Sequence, residues 1–242
     1  MKNSQSGNVL VYILIAVALL AALSYTIAQS GRGSIASMHA EQSRLHATEI
    51  IEYGGILGQA VSQIRLRGYL ESEISLENNI VAGYTNVNCT DSECEIFDVN
   101  GGGVRYLAPK PAWLDGAQSA QLRYGELYFN AESSAVDVGS NADDLILFIP
   151  YLKKEVCMAV NKQLDLTPAS RDVPLETHGP FAVNIKFVGS YGSAFDRKVS
   201  GDGTTGQTDI LYGKMAGCTE ASGTASTPAS GTFHYYQVLI AR

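Results

Sequence analysis

Hydrolytic and proton-transfer sites are built from side chains that this chain contains in quantity: four histidines and many serines and aspartates. None of them lies in a recognisable catalytic motif, since the sequence lacks Gly-x-Ser-x-Gly, His-Glu-x-x-His and the phosphate-binding Gly-x4-Gly-Lys-Ser/Thr. His39 and His46 are seven residues apart in a predicted helix, a spacing typical of two contacts on one helical face. We therefore expect a protein that is not an enzyme and that needs no cofactor.

Two oxygen-rich stretches, residues 141–144 and 200–209, have the composition of calcium-binding loops. Neither has the spaced acidic pattern and terminal glutamate of such a loop, so solvated turns are the favoured interpretation and calcium binding is the alternative. The three glycines at residues 101–103 precede a β-prone segment rather than a helix, which favours a tight turn over a phosphate cradle. We predict no metal site.

The four cysteines allow three disulfide pairings. We predict a bond between Cys89 and Cys94, which closes a short loop, and a bond between Cys157 and Cys218, which joins a predicted helix to the C-terminal region. Bonds of this kind are typical of a periplasmic or cell-surface domain. A zinc site is the alternative, but the spacing lacks the paired Cys-x2-Cys and His-x3–5-His pattern of structural zinc.

The first part of the chain contains a long apolar segment, residues 9–28, with no charge, no proline and no glycine. As a helix it would be about 30 Å long, enough to span a bilayer. Lys2 precedes it and Arg32 follows it, and we expect the N-terminus to be cytoplasmic. A secretory signal peptide is the alternative, but the segment exceeds the usual apolar core of about 7 to 15 residues and is followed by further helical periodicity.

The elements that follow predict an α+β fold. Apolar residues continue at helical spacing to about residue 66, whereas short β-prone pieces separated by turn residues come afterwards. We expect a long N-terminal helix packed on an antiparallel sheet, with a second helix at 151–164 and exposed loops at 199–208 and 219–232. The glycines at 54, 55 and 58 indicate a bend in the long helix or a close approach of another element. The strands are predicted at 82–88, 94–99, 105–107, 121–129, 144–149, 181–189 and 235–240.

The order of these segments resembles that of type IV pilins and pseudopilins. A short leader, MKNSQSG, contains a lysine and ends in Gly7, and the apolar helix follows at once and continues into an amphipathic one. The resemblance implies cleavage by a prepilin peptidase between Gly7 and Asn8, with methylation of the new N-terminus. It also divides the chain into a leader at 1–7, a transmembrane or filament-core half of the helix at 8–30, an amphipathic half at 31–68 and an extracytoplasmic β-rich domain at 69–242.

Two positions differ from the family pattern. Asn8 stands where an aromatic or similar apolar residue is usual, and Tyr12 stands where most members have a glutamate. In those members the carboxylate neutralises the N-terminal ammonium of a neighbouring subunit. Without this partner, the ammonium would be an unpaired charge in the apolar core of the filament, which is unfavourable. Some minor pseudopilins lack this glutamate, so the resemblance favours a minor subunit. The disulfide from Cys157 to Cys218 would correspond to the C-terminal disulfide loop of many type IV pilins.

The function that the resemblance implies is structural. The chain would be a subunit of a pilus-like or type II secretion pseudopilus-like filament, with Val17 in the middle of the helix that packs in its core. Its partners would be copies of itself or other pilin-like subunits, with the inner membrane as its site before assembly and a periplasmic or extracellular filament afterwards. The alternative is a membrane-anchored binding or adhesion domain that never polymerises. The net charge of −7 makes nucleic acid an unexpected partner.

Overall fold

The computed structural model describes residues 6–166, 172–176, 179, 181–192, 198–199, 209–223 and 228–242. The chain divides into two compact units, Met1–Gln42 and Ser43–Arg242. Helix α1 (Ser6–Leu66) supplies the described residues of the first unit and continues into the second. It is unbroken at Gly54, Gly55 and Gly58, so the predicted long helix is confirmed.

A mixed sheet forms the centre of the second unit. Within the described ranges it has six strands in the order β3-β5-β6-β2-β1-β4. Strand β2 pairs antiparallel with β1 and β6, and β5 pairs antiparallel with β6. The strands are β1 (Tyr128–Ala135), β2 (Asp144–Leu152), β3 (Leu175–Glu176), β4 (Lys198–Val199), β5 (Ala216–Ala221) and β6 (Phe233–Ile240).

The prediction of an antiparallel sheet is wrong at both edges. Strand β3 runs parallel to β5, and β4 runs parallel to β1. Turn residues between β-prone pieces predict hairpins, which are antiparallel, whereas a parallel pair needs a long crossover. Both edge pairs join strands that are far apart in the sequence, and a local turn pattern does not report on such pairs.

The sheet is buried on both faces. All of strand β2 is buried, and alternate side chains, Leu145, Leu147 and Ile149, pack in one cluster with Ile50 and Leu57 of helix α1. The intervening β2 side chains pack in a second cluster on the opposite face of the sheet. This alternation is the two-residue period of a strand, and burial on both faces explains why β2 is continuously apolar.

Helix α2 (Lys154–Gln163) follows β2 directly and confirms the second predicted helix, although Tyr151 and Leu152 belong to the strand. Its buried side chains include Val156 and Val160, which join the cluster shared with α1. At its C-terminal end, Gln163 donates a hydrogen bond to the carbonyl oxygen of Arg44 at 2.7 Å. Helix α2 therefore packs beside the C-terminal part of α1.

A bulge in β2 is completed by a buried histidine of β6. The register shifts between Ile149 and Leu152, so that Pro150 and Tyr151 together face His234. Proline has no N–H, and Tyr151 has a φ of 62°, in the left-handed region. The Tyr151 N–H donates to Nδ1 of His234 at 3.2 Å. The imidazole thus satisfies a backbone donor that the bulge removes from the ladder.

Several predicted strands are irregular in the structure. The predicted strands at 82–88, 94–99, 105–107 and 181–189, and most of 121–129, are not strands, while β5 lies partly in a predicted loop. Side-chain hydrogen bonds replace ladders in these segments: the amide of Asn86 donates to the carbonyl oxygens of Ser72 and Ile74, both at 2.8 Å. Asparagine binds backbone groups in this way and competes with sheet formation.

Gly54 marks a close approach between α1 and the sheet, as one of the two interpretations of the helix glycines predicts. A Cβ at this position would lie 2.7 Å from Oη of Tyr235 and 3.3 Å from Oε1 of Gln237, both on β6. At Gly55 and Gly58 a Cβ would meet no atom within 4 Å. Only the first of these glycines is therefore required by packing within the unit.

Candidate functional site

A long continuous run of exposed apolar side chains belongs to the N-terminal part of helix α1. The segment Val9–Ile27 has a mean hydropathy of 2.4, and none of it is buried. Its large apolar side chains are between 51% and 69% exposed. By length and composition this segment is able to cross a membrane, and it fulfils the expectation of an N-terminal apolar helix.

The structure places the predicted site residues of the helix as follows. Helix α1 begins at Ser6, so Gly7 and Asn8 belong to its first turn. Tyr12 is 66% exposed and Val17 is 61% exposed. Among the described residues both side chains are exposed, and both are available to lipid or to another protein.

The backbone and the Thr26 hydroxyl of this segment are satisfied within the helix. The backbone of a helix pairs its own N–H and C=O groups, which is the condition for lying in a bilayer. The hydroxyl of Thr26 donates to the carbonyl oxygen of Leu23 at 2.8 Å. Covering one of the large apolar side chains would contribute roughly 1–2 kcal/mol, since complete burial of such a group is worth about 1.5–3 kcal/mol. The segment is thus suited to an apolar environment along its whole length.

Both predicted disulfides are present in the structure. Cys89 is bonded to Cys94 and Cys157 is bonded to Cys218, and no described cysteine is free. The zinc alternative is therefore wrong for these four residues. The second bond is reinforced by Asn161, whose amide oxygen accepts from the Cys218 N–H at 2.8 Å and whose amide nitrogen donates to the Cys218 carbonyl at 2.9 Å. Helix α2 is thereby fixed to strand β5 by covalent and polar contacts.

The oxygen-rich stretches divide between described and undescribed residues. Residues 200–208 lie outside the described part of the chain. In the other stretch the carboxylate of Asp144 is buried and accepts hydrogen bonds from the N–H groups of Ala135 at 2.8 Å and Arg242 at 2.9 Å. Burial raises the pKa of Asp144 to about 6. Among the described residues, no group of three or more His, Cys, Asp or Glu side chains is placed to hold a metal ion.

A polar cluster on α1 attaches a loop to the helix, and His46 is its only member that the sequence singled out. The carboxylate of Glu49 accepts from Nζ of Lys110 at 2.6 Å and from Nε1 of Trp113 at 3.1 Å. His46 lies 3.5 Å from the same carboxylate. The hydrogen bond from Lys110 is the main cause that lowers the pKa of Glu49. Alternating charge along a helix is the only sequence signal for such a cluster, and that signal does not name the partners.

Comparison of the chain with protein-family models, with curated proteins and with solved structures gives no match.

Proposed function

We propose that the chain is a structural subunit of a type IV pilus-like or type II secretion pseudopilus-like filament that assembles through its apolar helix. One observation carries the proposal: the uncharged, uncovered segment Val9–Ile27 belongs to the same helix whose C-terminal part packs on the sheet of the second unit. A helix of this kind needs an apolar environment, and lipid or the helices of neighbouring subunits supply one.

The proposal follows the subunit from membrane to filament. Before assembly the chain is held in the inner membrane with a cytoplasmic N-terminus, and a prepilin peptidase cleaves between Gly7 and Asn8. After assembly the β-rich unit lies outside the membrane, in an oxidising compartment that suits its two disulfides. Its partners are copies of itself or other pilin-like subunits, and the role requires no enzymatic activity.

Tyr12 supports a minor subunit within this proposal. An exposed tyrosine offers no charge to a neighbour's N-terminal ammonium, so a filament built only from this chain would bury that ammonium without a carboxylate partner. A subunit at low copy number avoids repeating this cost along the filament. Tyr12 also favours the second candidate function, a membrane-anchored binding or adhesion domain that does not polymerise.

The mature N-terminus separates the two functions. Intact-mass and terminal-peptide mass spectrometry are applied to the full chain from its native membrane and from sheared surface material. The filament proposal expects a chain that begins at Asn8 with a methylated amine, recovered in both fractions. A chain that keeps Met1 and occurs only in the membrane would contradict it and support the anchored domain.

A substitution in the middle of the helix tests the need for an apolar surface. Aspartate at the centre of a membrane helix is unfavourable by about 3 kcal/mol, roughly a hundredfold in an equilibrium constant. We expect Val17→Asp to abolish both membrane retention and filament incorporation, whereas the control Val17→Leu, which keeps the side chain apolar, preserves both. Unchanged incorporation of Val17→Asp in sheared filaments would refute the proposal.

A further inference from the structure

A polar cleft lies on the second unit, among loop segments that pack beside one another. Ser75 and Glu95 form a parallel bridge, and the Val104 N–H donates to the carbonyl oxygen of Ile96 at 3.3 Å. These segments and the turn after Glu77 enclose a cleft of about 650 Å³. Small-molecule sites occupy about 300–1,000 Å³, so the cleft has the size of one.

The charged groups that line this cleft have no ion-pair partner in the part of the chain that the structure describes. In the described part of the chain, Glu77, Glu95 and Arg105 all line the cleft, and none of them forms an ion pair. Glu95 is half-buried, and its pKa is raised by burial and then by the nearby carboxylates, with Asp98 the largest of these. The hydrogen-bonding capacity of these side chains is therefore available to a ligand.

A second cavity of similar size shows the contrast. It has a volume of about 760 Å³ and is lined by Arg65, Glu71 and Arg242 among others. There Glu71 accepts from Nη2 of Arg65 at 2.9 Å and from Nε of Arg242 at 3.2 Å. The charged side chains of that cavity are paired with one another within the protein. Of these two cavities, only the first keeps charges of both signs without an ion-pair partner among the described residues.

The floor of the cleft is apolar and fixed in place. The half-buried ring of Phe97 lies edge-on to Tyr106, with 5.2 Å between the ring centroids, and 6.1 Å from the ring centroid of Phe129. Tyr106 is itself held by the Leu127 N–H, which donates to its hydroxyl at 3.0 Å. Ile80, on the rim, is 58% exposed. A ligand in the cleft would therefore meet a rigid apolar surface below and polar groups at the sides.

We propose that this cleft binds an uncharged saccharide. Carboxylates accept hydrogen bonds from neighbouring hydroxyls, and the guanidinium of Arg105 and the exposed amide of Asn79 donate to hydroxyl oxygens. The C–H face of a sugar ring fits the apolar floor formed with Phe97. An anionic ligand would be repelled by Glu77 and Glu95, and Arg105 offsets part of the attraction of these carboxylates for a cationic one. A neutral, polyhydroxylated ligand is the class that uses all of these groups.

Saturation-transfer difference NMR on the full chain tests the proposal. The protein is kept in a polyoxyethylene detergent, because detergents with sugar head groups would compete for the cleft. The probes are D-glucose, D-galactose, D-mannose, L-fucose, N-acetyl-D-glucosamine and N-acetyl-D-galactosamine at about 10 mM, above the roughly millimolar dissociation constant expected of a small polar ligand. We expect saturation transfer to at least one of them.

Variants locate the binding. We expect Glu95→Gln and Arg105→Gln each to weaken binding about tenfold, the usual effect of losing one hydrogen bond to a charged group. The matched control is Glu93→Gln, which changes the same charge at an exposed position outside the cleft lining. Asn79→Ala, also at an exposed position, tests the cleft with little risk to folding.

Three results would overturn the proposal. One is the absence of saturation transfer to every sugar in the panel. Another is an equal effect of Glu93→Gln and the cleft variants, including Asn79→Ala. The third is salt-sensitive binding of a pentalysine peptide that displaces the sugar or binds in its place, since that would identify the cleft as a site for cations. None of these results bears on filament assembly through the apolar helix.

Discussion

His234 makes the stability of the second unit depend on pH, and its hydrogen bonds determine which form of the imidazole is buried. The hydroxyl of Thr232 donates to the carbonyl oxygen of Ala229 at 2.6 Å, so it must accept from Nε2 of His234, 2.7 Å away. Nδ1 meanwhile accepts the Tyr151 N–H. The buried ring is therefore neutral, with its proton on Nε2. A second proton would break the contact that completes the bulge.

Burial lowers the pKa of His234 from 6.5 to about 3. The unfolded chain takes up a proton near pH 6.5 and the folded chain does not, so the stabilisation is present above pH 6.5 and is lost as the pH falls toward 3. Each pH unit in this window corresponds to about 1.4 kcal/mol, so between pH 7.5 and 4.5 the loss from this residue alone is about 3 kcal/mol.

Two replacements that do not titrate isolate this effect. His234→Asn keeps an acceptor for the Tyr151 N–H, and His234→Gln keeps a donor for Thr232. Urea unfolding of the full chain in detergent, followed by the fluorescence of Trp113, gives the free energy of unfolding at pH 7.5, 6.0 and 4.5. We expect both variants to have a lower free energy of unfolding than wild type at pH 7.5. This difference should shrink by about 3 kcal/mol between pH 7.5 and pH 4.5, because only wild type loses the contribution of the neutral imidazole. Curves that stay parallel to wild type would refute the neutral buried imidazole.

Three further predictions concern the same unit. Between about pH 4 and 6 the Asp144 carboxyl is protonated in the folded chain and ionised in the unfolded chain, so the free energy of unfolding of wild type should fall by about 3 kcal/mol as the pH rises through this range. Asp144→Asn should remove this decrease, and urea titrations at several pH values check it. Replacing both Cys157 and Cys218 by Ser should cost about 4 kcal/mol, against about 2 kcal/mol for the shorter loop of the other disulfide, by thermal unfolding. Gly54→Ala should destabilise by about 1–3 kcal/mol through its contact with β6, whereas Gly55→Ala, with open space around it, should stabilise by up to about 1 kcal/mol.

The elements that the sequence predicted correctly are those whose signal is local and strong. Helix α1 has helical periodicity with no proline from residue 34 to residue 66, and β2 has a continuous apolar run. The predicted strand at 82–88 has β-prone residues as well, but Asn86 binds the backbone of Ser72 and Ile74 and fixes an irregular conformation. Competition of this kind depends on segments that the chain brings together, and a local pattern does not contain it.

The sites show the same division. The apolar helix and the disulfides follow from composition and from residue types that tend to pair. The role of His234 depends on Pro150 and on Tyr151, its hydrogen-bond partner, which is 83 residues away in the sequence. The cleft depends on three loop segments that pack side by side. Strand β5, which the sequence did not predict, is weakly β-prone on its own. Its neighbours β3 and β6 and the disulfide from Cys218 to helix α2 stabilise it.

The apolar helix sets the requirement that any function of the chain must meet. The second unit buries most of its large apolar residues in two clusters, whereas none of the described side chains in Val9–Ile27 is buried. At roughly 1–2 kcal/mol for each of its exposed large side chains, leaving the segment in water costs as much as, or more than, the 5–15 kcal/mol by which a folded domain is normally stable. Lipid and neighbouring helices both cover the apolar side chains. Loss of membrane retention by Val17→Asp therefore shows that the helix needs an apolar environment, but it does not distinguish a bilayer from a filament core. Recovery of a chain beginning at Asn8 in sheared filaments identifies the environment, because only assembly removes the processed helix from lipid without exposing it to water.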